Sequence, residues 1–173
     1  MKEDFVKPIA VLAIICLVVS GGLSLVNGLT APIINEAAAI RTQIAMSAII
    51  PEATGFEQIE NDGFSRAVRE AYISENNLGY VFIVGMNGFS GEIRVICGVN
   101  NDGSIIGCST LSHTETKGLG DFLTEDFWTS RFKGKDQSQL KDIDTISGAT
   151  ISSSAFKRAI NEVFAAYELV RGL

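Results

Sequence analysis

Between Ile9 and Leu29 the chain carries no charged side chain, and the run IAVLAIICLVVSGGLSLVNGL is almost wholly apolar. At about 1.5 Å per residue, some 20 helical residues cross the roughly 30 Å hydrocarbon core of a bilayer. The amphipathic helix of a soluble domain keeps a polar stripe, and none interrupts this segment. A cleaved signal peptide has a shorter apolar region followed by an A-x-A-like site. The stretch NGLTAPIINEAAA offers no convincing site, and Pro32 sits within it. The expectation is an uncleaved transmembrane helix at 9–29 behind a short N-terminus at 1–8. Lys2, Lys7 and the amino terminus precede the span, and the first cation beyond it is Arg41. Cations flank the cytoplasmic end of a span, so the N-terminus is expected in the cytoplasm and the body outside it. Gly21-Gly22 would let a partner helix approach closely.

The remainder of the 173 residues is long enough to bury one core. Formal net charge is −6 and no Lys/Arg stripe appears, which argues against a nucleic-acid partner. Of three cysteines, Cys16 lies in the span, while Cys97 and Cys108 flank the turn VNNDGSI. A two-residue Asp102-Gly103 turn would place Asn101 opposite Ser104 and Cys97 opposite Cys108. A bridge straight across a strand pair is geometrically tight, so two small buried residues is the preferred reading.

After the span, Ile34, Ala37, Ala38, Arg41, Ile44, Ala45 and Ala48 recur at helical spacing, and Pro51 stops the pattern. This predicts a connecting helix over 30–51 that leads from the membrane to a domain at 52–173, with simple packing on the sheet as its plainest role. FEQIE, AVREAYIS, GYVFIVGM, GEIRVICGV and SIIGCSTLSH are β-branched or aromatic runs punctuated by Gly, Asn and Asp. DFLTEDFWTSRF reads as a short helix anchored by Phe122, Phe127, Trp128 and Phe132, and KGKDQSQLKD as a polar surface loop. A last helix is expected from about Gly148 to Val170, with Phe156, Ile160, Val163, Phe164 and Tyr167 on its apolar face and Gly172 closing it. The fold class is therefore α+β, an antiparallel sheet with flanking helices behind one N-terminal transmembrane helix.

Two stretches carry chemistry. SHTETKGLGDF holds the only histidine, His113, with Glu115 nearby and two glycines, Gly118 and Gly120, that permit close backbone approach. One His and one Glu do not make a metal site, and without a G-x-S-x-G the case for a serine hydrolase is weak. No catalytic or metal residue is assigned. The second stretch, IDTISGATISSS, is rich in hydroxyls at a helix start. Ser147 is a good N-cap type, which would put Gly148, Ala149 and Thr150 in the first turn. Free N–H groups and the helix dipole there attract a phosphate. An ordinary capped helix satisfies the same pattern.

Asp144-x-x-Ser147-Gly148-Ala149-Thr150-x-Ser152 resembles the flavinylation signal D-x-x-S-G-A-T-x-[ST] of the FMN-binding domain family. HTETKGLG resembles that family's H-x-E-T-P-G-L-G, and GFSGEIRVICGVN its G-[YF]-x-G-x-I strand pair. Lys117 stands where the family usually has proline. Within the family the chain resembles the G subunits of Rnf-type ion-translocating ferredoxin:NAD⁺ oxidoreductase complexes. The resemblance implies FMN joined to Thr150 through a phosphoester bond, with Asp144 and Ser152 as recognition elements for a flavin transferase. Ser147, Gly148 and Ala149 would receive the phosphate. Leu119 and the Gly118–Gly120 backbone are expected as walls of the flavin slot. Glu115 and Thr116 are expected to hydrogen-bond the ring or ribityl chain, with His113 holding the loop. It further implies a redox subunit, rather than an independent enzyme, working with other membrane, iron–sulfur and flavin subunits. A stand-alone membrane-anchored flavin module for redox or sensing is the alternative.

Overall fold

The computed structural model describes residues 2–118 and 120–171, with 2–6 as backbone alone. Helix α1 runs unbroken from Lys2 to Ile49, with Pro8 and Pro32 inside it. The sequence separates a span at 9–29 from a connecting helix at 30–51; one helix carries both. Its most apolar 18-residue stretch has a mean hydropathy of 2.7, and the helix is long and apolar enough to cross a membrane. Contacts divide the chain into two compact units between Arg41 and Thr42. The last turns of α1, from Thr42 on, therefore belong with the sheet.

Five strands, β1 (Phe56–Gln58), β2 (Val68–Ser74), β3 (Tyr80–Asn87), β4 (Glu92–Val99) and β5 (Ile105–Ser112), form one sheet. Their order is β1-β2-β3-β4-β5, and every pairing is antiparallel. Short connections between consecutive strands make this meander the natural topology. Side chains alternate across a strand, and here both faces are covered. Tyr80, Phe82, Val84, Ile93, Val95, Cys97 and Val99 face the larger core. Val81, Ile83 and Ile96 face a smaller one with Met46 and Ile50 from the end of α1 and just beyond it. This two-sided burial explains why β3 is an unbroken apolar run.

The larger core is closed by α3, Thr150–Val170, whose Phe156, Ile160, Val163, Phe164 and Tyr167 are all buried. The expected short helix of residues 121–132 is three pieces: a 3-10 turn at Asp121–Thr124, helix α2 at Asp126–Thr129 and a 3-10 turn at Ser130–Phe132. Trp128 and Phe132 are fully buried, and the Trp128 ring meets Phe122, Phe132 and Phe156 at centroid distances of 5.4, 5.3 and 5.8 Å. Phe127 is not an anchor: it is 52% exposed, with the Arg131 guanidinium 5.8 Å from its ring. Nor is Ile44 part of the packed face, since it points outward at 65% exposure. The expected polar loop contains a 3-10 helix at Gln137–Asp142, set by a capping box between Asp136 and Gln139. The expected closure by Gly172 lies outside the described residues.

The β4–β5 turn is one residue longer than the sequence suggests. Asn100, rather than Asn101, faces Ser104, and Gly103 adopts φ +86°. A bulge at Gly98/Val99 shifts the register back, so Cys97 does pair with Cys108. Both thiols are free, and burial pushes Cys108 up to about 12 and raises Cys97 also.

Candidate functional site

The start of α3 is built by a tight turn. The Ala149 N–H donates to the Ile146 carbonyl at 3.0 Å, and Gly148 holds φ +82° at the third position of the turn. A type II turn requires that conformation, and an L side chain resists it. Gly148 therefore cannot be helical. Thr150 is the first residue of α3, Ala149 occupies the N-cap position, and no side chain caps from there. Ser147 is consequently not the N-cap, contrary to expectation; it is an exposed residue of the turn.

The turn is closed from inside the helix. The buried Ser153 hydroxyl donates to the Ala149 carbonyl at 2.9 Å and accepts from the Ile146 N–H at 3.2 Å. One turn on, the Lys157 ammonium donates to the Ile143 carbonyl. The first helical bond is Ser153 N–H to Ala149 carbonyl at 3.0 Å. The N–H groups of Thr150, Ile151 and Ser152 precede it, at the positive end of the helix dipole.

Beside this helix start lies a cavity of about 270 Å³. Three segments line it: Phe89 of the β3–β4 turn, Glu115 and Thr116 of the loop after β5, and Gly148–Ser152. Glu115 joins all three. One carboxylate oxygen accepts from the Ser90 N–H at 2.9 Å, and the other accepts from the Ser152 hydroxyl. The Ser90 and Thr116 hydroxyls meet at 3.2 Å. Burial pushes the Glu115 carboxyl up, but the Ser152 hydroxyl and the N–H groups of Ser90, Phe89 and Gly91 outweigh it and hold the group below its usual range. Two glycines make room for the carboxylate arm. A Cβ on Gly120 would lie 2.1 Å from the Glu115 Cβ, and one on Gly88 would lie 2.6 Å from its Oε1.

The FMN-binding domain family matches residues 88–165, a stretch that contains every residue of this cavity. The G subunit of an ion-translocating oxidoreductase complex from Shewanella piezotolerans is 31% identical, with the alignment covering 92% of this chain and 88% of the relative. The chain belongs to the family of these G subunits. The G subunit of the Na⁺-translocating ferredoxin:NAD⁺ oxidoreductase complex of Acetobacterium woodii is 26% identical over 91% of this chain and 89% of its own. Its counterpart in the proton-translocating complex of Clostridium ljungdahlii is 26% identical over 87% and 85%.

Within the FMN-binding domain, the structure brings Thr150, Gly148, Ala149, Glu115, Thr116 and Ser152 to one cavity. Asp144, Ser147, Gly118 and His113 do not line it. The Gly118 N–H donates to Asp121 Oδ2 at 2.9 Å, and Gly118 holds φ +83°, so it shapes the loop instead. His113 Nδ1 is buried without a hydrogen-bond partner among the described residues. Leu119, expected as a wall, lies outside the described residues. Two further residues line the cavity that the sequence did not single out. Phe89 and Ile151 are 69% and 52% exposed, and they stand on different banks of it. Phe89 is the aromatic of the G-F-S-G motif, so the motif was the available signal for it.

These groups fit FMN. An exposed hydroxyl and helix-start N–H groups suit its phosphate, and two outward apolar side chains suit a flat ring. The volume falls just below the roughly 300–1,000 Å³ of small-molecule pockets, as befits an open cradle.

Proposed function

We propose that this chain is the flavin-carrying electron-transfer subunit of a membrane-bound, ion-translocating ferredoxin:NAD⁺ oxidoreductase complex, with FMN esterified through its phosphate to Thr150. One observation carries the reading. Among the hydroxyls from Thr145 to Ser154, Thr150 alone is both exposed and on the cavity. Thr145, Ser147 and Ser154 are off it, and Ser152 and Ser153 are buried and committed to Glu115 and to the turn.

A threonine hydroxyl is a poor nucleophile, and the carboxylate that lines the cavity, Glu115, is engaged with the Ser90 N–H and the Ser152 hydroxyl rather than with Thr150. A separate Mg²⁺-dependent flavin transferase therefore makes the bond, with FAD as donor. The Thr150 Oγ1–P bond forms, the pyrophosphate bond of FAD breaks, AMP leaves, and the hydroxyl proton goes to the transferase. Asp144, exposed before the turn, serves the transferase as a recognition element. The phosphodiester keeps one negative charge, which the N–H groups of the first turn of α3 stabilise. Phe89 and Ile151 shield the ring from water, and bound FMN supplies one-electron redox chemistry.

The span of α1 anchors the subunit with its N-terminus in the cytoplasm and the FMN domain outside, among the membrane and iron–sulfur subunits of the complex.

The test is co-expression of the full chain with a flavin transferase. Wild type gains the mass of one FMN less one water and fluoresces in a denaturing gel. Thr150→Ala folds, loses both signals, and keeps its unfolding midpoint. A fluorescent band surviving that substitution would remove Thr150 from the role.

A further inference from the structure

We propose that Glu115 is a positioning residue, a clamp that fixes the Phe89 turn to the first turn of α3. Each carboxylate oxygen reaches a different segment. Oε1 accepts from the Ser90 N–H at 2.9 Å and Oε2 from the Ser152 hydroxyl. These partners lie 25 and 37 residues away in sequence, so one side chain ties together the three segments that line the cavity.

The surroundings are shaped around this arm. Gly88 and Gly120 leave space that any Cβ would fill against Glu115. The Thr116 hydroxyl, next in the chain, reaches Ser90 Oγ at 3.2 Å and adds a second tie to the same turn. Within that turn, the Gly88 N–H to Gly91 carbonyl bond at 2.8 Å closes the backbone, but Phe89 projects outward at 69% exposure. Its placement over the cavity depends on how the turn is held, and Glu115 holds it. A carboxylate accepting two bonds is a stronger tie than a neutral acceptor. Ser152 accordingly acts as the helix-side half of the clamp, in addition to its place in the flavinylation signal.

The flavin part of this inference rests on the proposed attachment at Thr150; the clamp itself does not. The full chain is compared with Glu115→Ala, Glu115→Gln and Ser152→Ala, each made in the wild-type and in the flavin-free Thr150→Ala background. Amide exchange over 88–91 should quicken about tenfold in Glu115→Ala in both backgrounds, as expected for losing a charge-assisted bond. Glu115→Gln keeps one acceptor oxygen and should fall between. Ser152→Ala cuts the same tie from the helix and should move exchange in the same direction. In flavinylated protein the mass added by the flavin stays unchanged, while the fluorescence anisotropy of the attached flavin drops in the order wild type, Glu115→Gln, Glu115→Ala. Unchanged exchange over 88–91 in Glu115→Ala and Ser152→Ala would overturn the clamp. Loosened exchange with unchanged anisotropy would overturn its role toward the flavin. Absence of flavin from wild type would defeat the Thr150 assignment alone, because the flavin-free arm still decides the clamp.

Discussion

The first turn of α3 and its later turns are built from opposite materials. From Ala155 to Val170 the helix presents a buried apolar face to the sheet and to the Trp128 cluster. From Thr150 to Ser153 it is hydroxyl-rich, with Thr150 and Ile151 outward and two serines buried in hydrogen bonds. The later turns hold the helix in place, so the first turn is free to be a site. Stability and chemistry are therefore separable along one element, and substitutions at successive positions should show it.

The largest effect is expected at Phe156. Its ring is fully buried, with Phe132 at 5.1 Å and Trp128 at 5.8 Å. Phe156→Ala should cost about 3–5 kcal/mol in urea unfolding, the usual range for emptying a core aromatic. The protein that remains folded should still accept flavin at Thr150. A cost below about 1 kcal/mol would mean that the later turns do not anchor the helix, and the contrast would collapse.

Ser153 sits at the boundary between the two regimes. Its hydroxyl is buried away from the cavity, where it satisfies the Ile146 N–H and binds the Ala149 carbonyl. Ser153→Ala strands that part-buried N–H, and a fully buried donor without a partner costs roughly 1–3 kcal/mol. The Ala149 carbonyl keeps its bond from the Ser153 N–H at 3.0 Å, so the lower half of that range is expected. A neutral result in urea unfolding would show that the turn before Thr150 holds itself.

The same division marks what was legible in the sequence. Alternation and turn residues placed all five strands, because each is a local pattern repeated by the pleat. Register was harder: the turn at Asn100–Ser104 is longer than two residues, and the bulge at Gly98/Val99 cancels the error. The pairing of Cys97 with Cys108 thus follows from a compensation that turn chemistry alone does not contain. The 3-10 helix at Gln137–Asp142 was readable, since Asp136 and Gln139 have capping-box spacing, but polar composition hid it. At the site, motif spacing singled out Thr150 through resemblance, whereas the partners of Glu115 are remote in sequence and no local period reveals them. The helix start falls later than the hydroxyl pattern suggests, because the positive φ of Gly148 makes it a turn residue.

That later start yields the smallest and sharpest test. Were Ser147 the N-cap, replacing it with alanine would cost about 1 kcal/mol, the usual loss of a capping hydroxyl. The structure places Ser147 in an exposed turn with the helix beginning at Thr150, and no side chain caps at Ala149. Surface changes of this kind stay within about 0.5 kcal/mol. Ser147→Ala should therefore leave the urea midpoint almost unmoved, while Ser153→Ala, further along the same segment, shifts it. The two variants remove one hydroxyl each from that segment, so differences in composition cancel between them. If Ser147→Ala lost about 1 kcal/mol and Ser153→Ala lost nothing, the helix would have to begin directly after Ser147. Gly148 and Ala149 would then belong to its first turn, and the turn that presents Thr150 would have to be redrawn.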